Sequence, residues 1–82
     1  MTGADILKAR AKLGTKWGLG RPLYMSELGK LLMLRGRDPG ATVRDWEREP
    51  DALVSGPVAI AVASMLAGHI PVSYRTAISP PR

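Results

Sequence analysis

Glycine and proline constrain this chain more than any other feature, because they interrupt it so often that only short elements fit between them. The 82 residues include 9 glycines and 7 prolines, and these residue types commonly begin or end helices. The intervals between them carry apolar residues at helical spacing. We therefore predict an all-α fold, a compact bundle of four to five short helices with an extended C-terminal tail.

The first helix is predicted over residues 4–13. Thr2 precedes it, and the acid Asp5 follows three positions later, a spacing typical of a capping box. Gly14 is the predicted stop. The glycine-rich and proline-containing stretch 14–22 then indicates a loop.

The next two helices are predicted over residues 23–34 and 39–48, and a basic turn separates them. Gly29 lies inside the first of these, where glycine is costly, so we expect another backbone to come close there. Asp38 can cap the following helix, and Pro39 suits its first position because that position needs no amide donor.

The last predicted helix begins at Ser55-Gly56-Pro57 and ends at about Ala67, and no residue between Pro57 and Ala67 is charged. Because a small domain cannot easily bury such a helix on all sides, we predict a dimer or partner surface there. Its residues are Ile60, Ala63 and Ala67. The alternative is an ordinary exposed face rich in alanine.

The chain is expected to form one helical domain over residues 1–68, and residues 69–82 form the extended or partly disordered tail. Ile70, Val72 and Tyr74 alternate in that tail, which suits a short strand or arm. The end from Ser79 onward is expected to be disordered.

Composition narrows the classes of function. The net charge of +5 makes DNA or RNA a natural partner. Cysteine is absent and His69 is the only histidine, so we expect no metal site and no cofactor. No pattern indicates a nucleophile with its base, hence no catalytic residue is predicted. The apolar stretches are too short and too interrupted for a membrane span, so we expect a soluble, cytoplasmic protein.

Two segments carry a resemblance to a known family. Leu23-Tyr24-Met25-Ser26-Glu27-Leu28-Gly29-Lys30-Leu31-Leu32 resembles the first motif helix of Cro/lambda-repressor-like (XRE-type) helix-turn-helix transcriptional regulators. Thr42-Val43-Arg44-Asp45-Trp46-Glu47-Arg48 resembles the end of their recognition helix. Arg10 falls where the family places an arginine that pairs with the glutamate at Glu47. Gly56-Pro57-Val58-Ala59 is similar to the start of the last helix in phage-type regulators.

The resemblance, which covers about residues 5–68, implies a repressor or activator. Such a protein would act as a homodimer on duplex DNA through the helix at 39–48. Val43, Trp46 and Glu47 are expected to face inward, and Arg44 is the first candidate for a base contact. The predicted DNA-contacting residues are Lys30, Arg35, Arg37, Gly40, Ala41, Thr42, Arg44, Asp45 and Arg48.

Some residues depart from the family pattern and keep a second function open. Tyr24 and Met25 replace the usual polar cap and glutamine, the turn over 33–39 is longer, and Glu49 replaces a glycine. Asp45 adds negative charge to the predicted reading face. The alternative is a helix-turn-helix protein that masks another transcriptional regulator, an antiactivator acting through an apolar surface.

Overall fold

A computed structural model describes residues 1–34 and 37–78. In these two ranges, five helices follow one another: α1 Gly3–Lys16, α2 Met25–Leu31, α3 Pro39–Arg48, α4 Gly56–Leu66 and α5 Tyr74–Ala77. Within the described ranges the only β-type pairing is an isolated antiparallel bridge between Thr2 and Leu53. The predicted all-α class is confirmed. None of the helices in these ranges combines the length and the apolar character that crossing a bilayer requires.

Helix α1 begins with the predicted capping box. The Thr2 amide donates to Asp5 Oδ2 over 2.9 Å, and the Asp5 amide donates to Thr2 Oγ1 over 3.4 Å. Gly14, however, does not end the helix, which continues to Lys16. A Cβ on Gly14 would lie 1.8 Å from the Arg21 carbonyl oxygen. This glycine therefore lets the following loop cross closely over the helix.

Helices α2 and α3 cross with their backbones almost touching. A Cβ on Gly29 would lie 2.1 Å from the Pro39 carbonyl oxygen, which confirms the close approach predicted there. On the other side of the crossing, a Cβ on Gly40 would lie 2.9 Å from the Ser26 amide nitrogen. The two glycines thus set the distance between the helices.

The observed ends of α2 and α3 agree with the predicted ends to different degrees. Helix α3 has the predicted bounds, and Asp38 caps it by accepting from the Gly40 amide over 3.1 Å. Helix α2 is shorter than predicted and ends at Leu31. Two residues later Met33 adopts a left-handed backbone, with φ of 57°, and this stops the helix.

The core lies where α1, α2, α3 and α4 meet. Its largest side chains have less than 2% of their surface exposed, and they are Ile6, Leu13, Leu23, Leu28, Val43 and Val62. Helix α4 contributes only Val62 and Met65 to the fully buried set. The rest of that uncharged helix remains at or near the surface.

The C-terminal segment differs in part from the predicted extended tail. Residues 69–73 are non-helical, but the chain then forms α5, and Ala77 and Ile78 are buried in the core. The Ser73 hydroxyl donates to the Leu31 carbonyl oxygen over 2.8 Å. Tyr74 meets Trp17 edge to face, with ring centroids 5.0 Å apart. Residues 73–78 therefore pack against α2 and the α1–α2 loop. The predicted disorder from Ser79 onward lies outside the described residues.

Candidate nucleic-acid interface

Helix α3 has one face against the protein and one face toward solvent. Val43 is fully buried, and Trp46 packs partly buried against the core. Glu47 also turns inward, where it binds Arg10. Arg44, Asp45 and Arg48 are exposed on the opposite face. The inward direction predicted for Val43, Trp46 and Glu47 is confirmed.

The ion pair of Arg10 and Glu47 fixes where that outward face points. Arg10 Nε donates to Glu47 Oε2 and Arg10 Nη2 donates to Glu47 Oε1, each over 2.7 Å. The two side chains are only 13% and 9% exposed. Arg10 Nη1 also donates to the Leu23 carbonyl oxygen over 2.7 Å. One guanidinium therefore ties α1 to α3 and to the residue that leads into α2.

Arg44 is held toward the start of α3 by the residue that caps the helix. Its Nη2 lies 3.3 Å from Asp38 Oδ2, and Asp38 Oδ1 accepts from the Gly40 amide. The contact uses one of five guanidinium N–H groups, and 48% of the Arg44 side chain stays exposed. The remaining donors can meet a ligand that approaches the N-terminal half of α3.

A second, weaker ion pair lies further along the same face. Arg48 Nη1 and Asp45 Oδ1 are 4.0 Å apart, and about 70% of both side chains is exposed. Such a pair contributes little to stability. Its effect here is electrostatic, because Asp45 offsets part of the positive charge that Arg48 brings to the surface.

The other predicted DNA-contacting residues fall into four groups. Lys30 and Arg37 are exposed, and Ala41 and Thr42 are half-buried at the edge of the α3 face. Gly40 is buried against α2, so it is a packing residue and is removed from the candidate surface. Arg35 lies outside the described residues.

The start of α2 carries a cluster that the sequence reasoning missed. Glu27 Oε1 accepts from the Tyr24 amide over 2.8 Å and from Arg21 Nη1 over 2.7 Å. The Arg21 guanidinium also lies 3.9 Å from the centroid of the Tyr24 ring, which is 58% exposed. The signal was the acid three positions after Tyr24, the spacing of a capping box with an aromatic residue in the cap position.

Opposing effects act on the Glu27 carboxyl. Burial alone raises its pKa, because it penalises the charged form. The hydrogen bonds from Arg21 and from the Tyr24 amide favour the carboxylate and outweigh burial, so the pKa lies below its usual value. A charged Glu27 therefore holds the Tyr24 amide at the entry to α2, and it also holds the Arg21 guanidinium that lies over the Tyr24 ring.

The predicted protein interface on α4 is open to solvent. Ile60 is 73% exposed, and Ala63 and Ala67 are exposed beside it. A groove of about 520 Å³ runs alongside. Its walls are mostly apolar and include Leu31, Leu32, Pro57, Met65, His69 and Pro71.

Across the described ranges, no three histidine or acidic side chains lie close enough to hold a metal ion.

Comparison of the chain with protein-family models, with curated proteins and with solved structures finds no match.

Proposed function

We propose that this protein is a small transcriptional regulator that binds duplex DNA sequence-specifically through the outward face of α3. The observation that carries the proposal is the bidentate Arg10–Glu47 pair, which fixes α3 with its arginines turned to solvent. The close crossing of α2 and α3 at Gly29 also supports it, since a helix-turn-helix needs two helices held at a fixed angle.

The exposed cations suggest how the contacts divide. Arg44 extends toward the start of α3, the part of a recognition helix that approaches base edges, and arginine binds guanine through two donors. Lys30, Arg37 and Arg48 are exposed and suit phosphate, which positions the protein without reading sequence.

We further propose that the protein acts as a homodimer through Ile60, Ala63 and Ala67. An uncharged surface is the place where two copies with a net charge of +5 approach at the lowest electrostatic cost. One copy measures 37 Å along its longest axis. Two copies side by side can therefore span half-sites about 34 Å apart, one turn of the duplex.

The experiment that tests DNA reading is selection from a random-sequence duplex pool at low and moderate salt. We expect enrichment of a two-fold symmetric site, with affinity that falls steeply as salt rises. Arg44→Ala should then relax the preference at one base pair in each half-site by about 1–3 kcal/mol. No binding at low salt, or equal weakening on every sequence, would count against this role of Arg44 and α3.

Sedimentation of the free protein tests the dimer. Ile60→Glu should shift the molecule to a monomer, because it puts a charge into an apolar contact. Leu53→Glu is the matched control, since Leu53 is 78% exposed and lies outside α4. A monomeric unmodified protein, or equal effects of the two substitutions, would contradict the interface.

A second function rests on the groove beside Ile60. Apolar clefts with exposed rims often bind proteins, and this one would suit an antiactivator that masks another regulator. The selection experiment separates the two functions, because an antiactivator that has lost DNA reading enriches no site.

A further inference from the structure

The arginines and the α1 lysines of this protein differ in whether they form ion pairs. Every ion pair within the described ranges uses an arginine, namely Arg10, Arg21, Arg44 and Arg48. The lysines of α1 take no part in these pairs. Much of the charge that is not offset by a neighbouring carboxylate is therefore on α1.

The three lysines of α1 form one row. Lys8, Lys12 and Lys16 are all exposed and repeat every four residues, so they share one edge of α1. At 1.5 Å per residue the row is about 12 Å long. We call these three residues the lysine ridge.

The surroundings of the lysine ridge bring little negative charge. Asp5 is the carboxylate on the same edge, and it is engaged by the Thr2 amide and hydroxyl at the start of the helix. Beside the ridge, Ala11 and Thr15 form a shallow groove with Leu66 of α4, a helix without any charged residue. The three ammonium groups thus form an edge whose positive charge is offset little by nearby carboxylates.

The lysine ridge and helix α3 lie on opposite sides of α1. Gly3 and Arg10 of α1 both contact α3. With about 100° per residue, the mean direction of the lysines lies roughly 170° around α1 from these two. The lysine ridge therefore faces away from the helix that is proposed to read DNA.

We propose that the lysine ridge binds the phosphate backbone of a second duplex segment while α3 reads the first. This inference rests on the proposed DNA-binding function. A duplex suits the ridge better than an acidic protein does, because it offers about one negative charge per 1.7 Å of its axis at every register. The second contact is independent of sequence, and the protein bridges two segments of DNA.

A capture experiment tests the bridge. A duplex that carries the selected site is immobilised and loaded with the full chain, and a labelled duplex of unrelated sequence is then added. The unmodified protein should retain the label at low salt and release it as salt rises. The triple substitution Lys8→Gln, Lys12→Gln and Lys16→Gln should reduce capture at least about tenfold, because three phosphate contacts are lost. Its affinity for the immobilised duplex should stay within about twofold.

The triple arginine variant at the same three positions is the matched control. Arginine keeps the charge, and arginine, glutamine and lysine have similar helix propensities, so this variant should fold and capture as the unmodified protein does. Capture that the glutamine variant leaves intact would overturn the inference. So would an equal loss of affinity for the immobilised duplex, since the ridge would then contact the first duplex.

Two further outcomes separate the inference from the function on which it rests. If a site is enriched but the second duplex is never captured, the bridge fails and the DNA-reading function stands. If no site is enriched, both fail. Retention of labelled polyglutamate in place of the second duplex would overturn the inference in favour of an acidic protein partner.

Discussion

Arg10 and Glu47 are 37 positions apart in the chain and form two parallel hydrogen bonds of 2.7 Å each. The same guanidinium holds the carbonyl of Leu23. Because three segments converge on one side chain, the angle at which α3 presents Arg44 depends on this pair. A change at Glu47 should therefore affect both the stability and the DNA-reading surface.

Glu47→Gln should lower the free energy of unfolding by about 3 kcal/mol, because it leaves the guanidinium of Arg10 buried without a counter-charge. Urea denaturation at neutral pH measures the difference. Arg48→Gln is the control, since its pair with Asp45 is 4.0 Å long and exposed, and it should cost less than about 0.5 kcal/mol. Similar losses for the two variants would mean that the Arg10–Glu47 pair stabilises the fold no more than an exposed pair does.

Gly29→Ala should destabilise the crossing of α2 and α3, although alanine normally favours a helix. The new Cβ would lie 2.1 Å from the Pro39 carbonyl oxygen, so the two backbones must separate. We expect a lower thermal midpoint and weaker duplex binding together. Gly56→Ala is the control, because nothing lies within 4 Å of its Cβ position, and its midpoint should not fall. A stable Gly29→Ala protein would contradict the described crossing.

The lowered pKa of Glu27 predicts a loss of stability in acid. Burial raises the pKa of this carboxyl, but the hydrogen bonds from Arg21 and from the Tyr24 amide lower it by more. A carboxyl with a depressed folded pKa stabilises the fold fully above its unfolded pKa and loses that contribution as pH falls through the folded pKa. The unmodified protein should therefore exceed Glu27→Gln in stability at pH 7, and the gap should close in more acidic solution.

Urea midpoints from pH 7 to pH 2 measure this gap. Arg21→Gln provides an independent check, because it removes two of the hydrogen bonds that depress the pKa of Glu27. It should flatten the same part of the pH profile. A gap between the unmodified protein and Glu27→Gln that stays constant with pH would contradict the assignment.

The features that the sequence predicted correctly depend on local signals. Asp38 and Pro39 mark the start of α3 because a cap and a residue without an amide donor act within one helical turn. Gly29 marks a close approach because glycine inside an apolar helical pattern is otherwise unfavourable. The inward direction of Val43 follows from its place among the apolar residues of α3.

The features that the sequence did not predict depend on contacts between distant residues. Gly14 resembled a helix stop, but its role is to admit the backbone of Arg21. Gly40 was predicted on the DNA-contacting surface, but the backbone of α2 at Ser26 packs against it and buries it. Tyr74 alternates with its neighbours like a strand residue, and its partner is Trp17, 57 positions earlier. No local pattern encodes these pairings.

Asp38 and Asp45 carry the same charge on the same face of α3 and should nevertheless act differently on DNA reading. Asp38 caps the helix and holds Arg44 at 3.3 Å, whereas Asp45 faces Arg48 at 4.0 Å. Asp38→Asn keeps a good cap and removes the charge that orients Arg44, so it should raise affinity for unrelated duplexes and reduce the preference for the selected site by about threefold. Asp45→Asn should raise affinity for all duplexes alike and leave the preference unchanged, because it removes only repulsion of phosphate. For each variant, titrations against the selected duplex and an unrelated duplex at one salt concentration measure the ratio of the two affinities. Equal ratios would mean that Asp38 affects Arg44 only through overall charge.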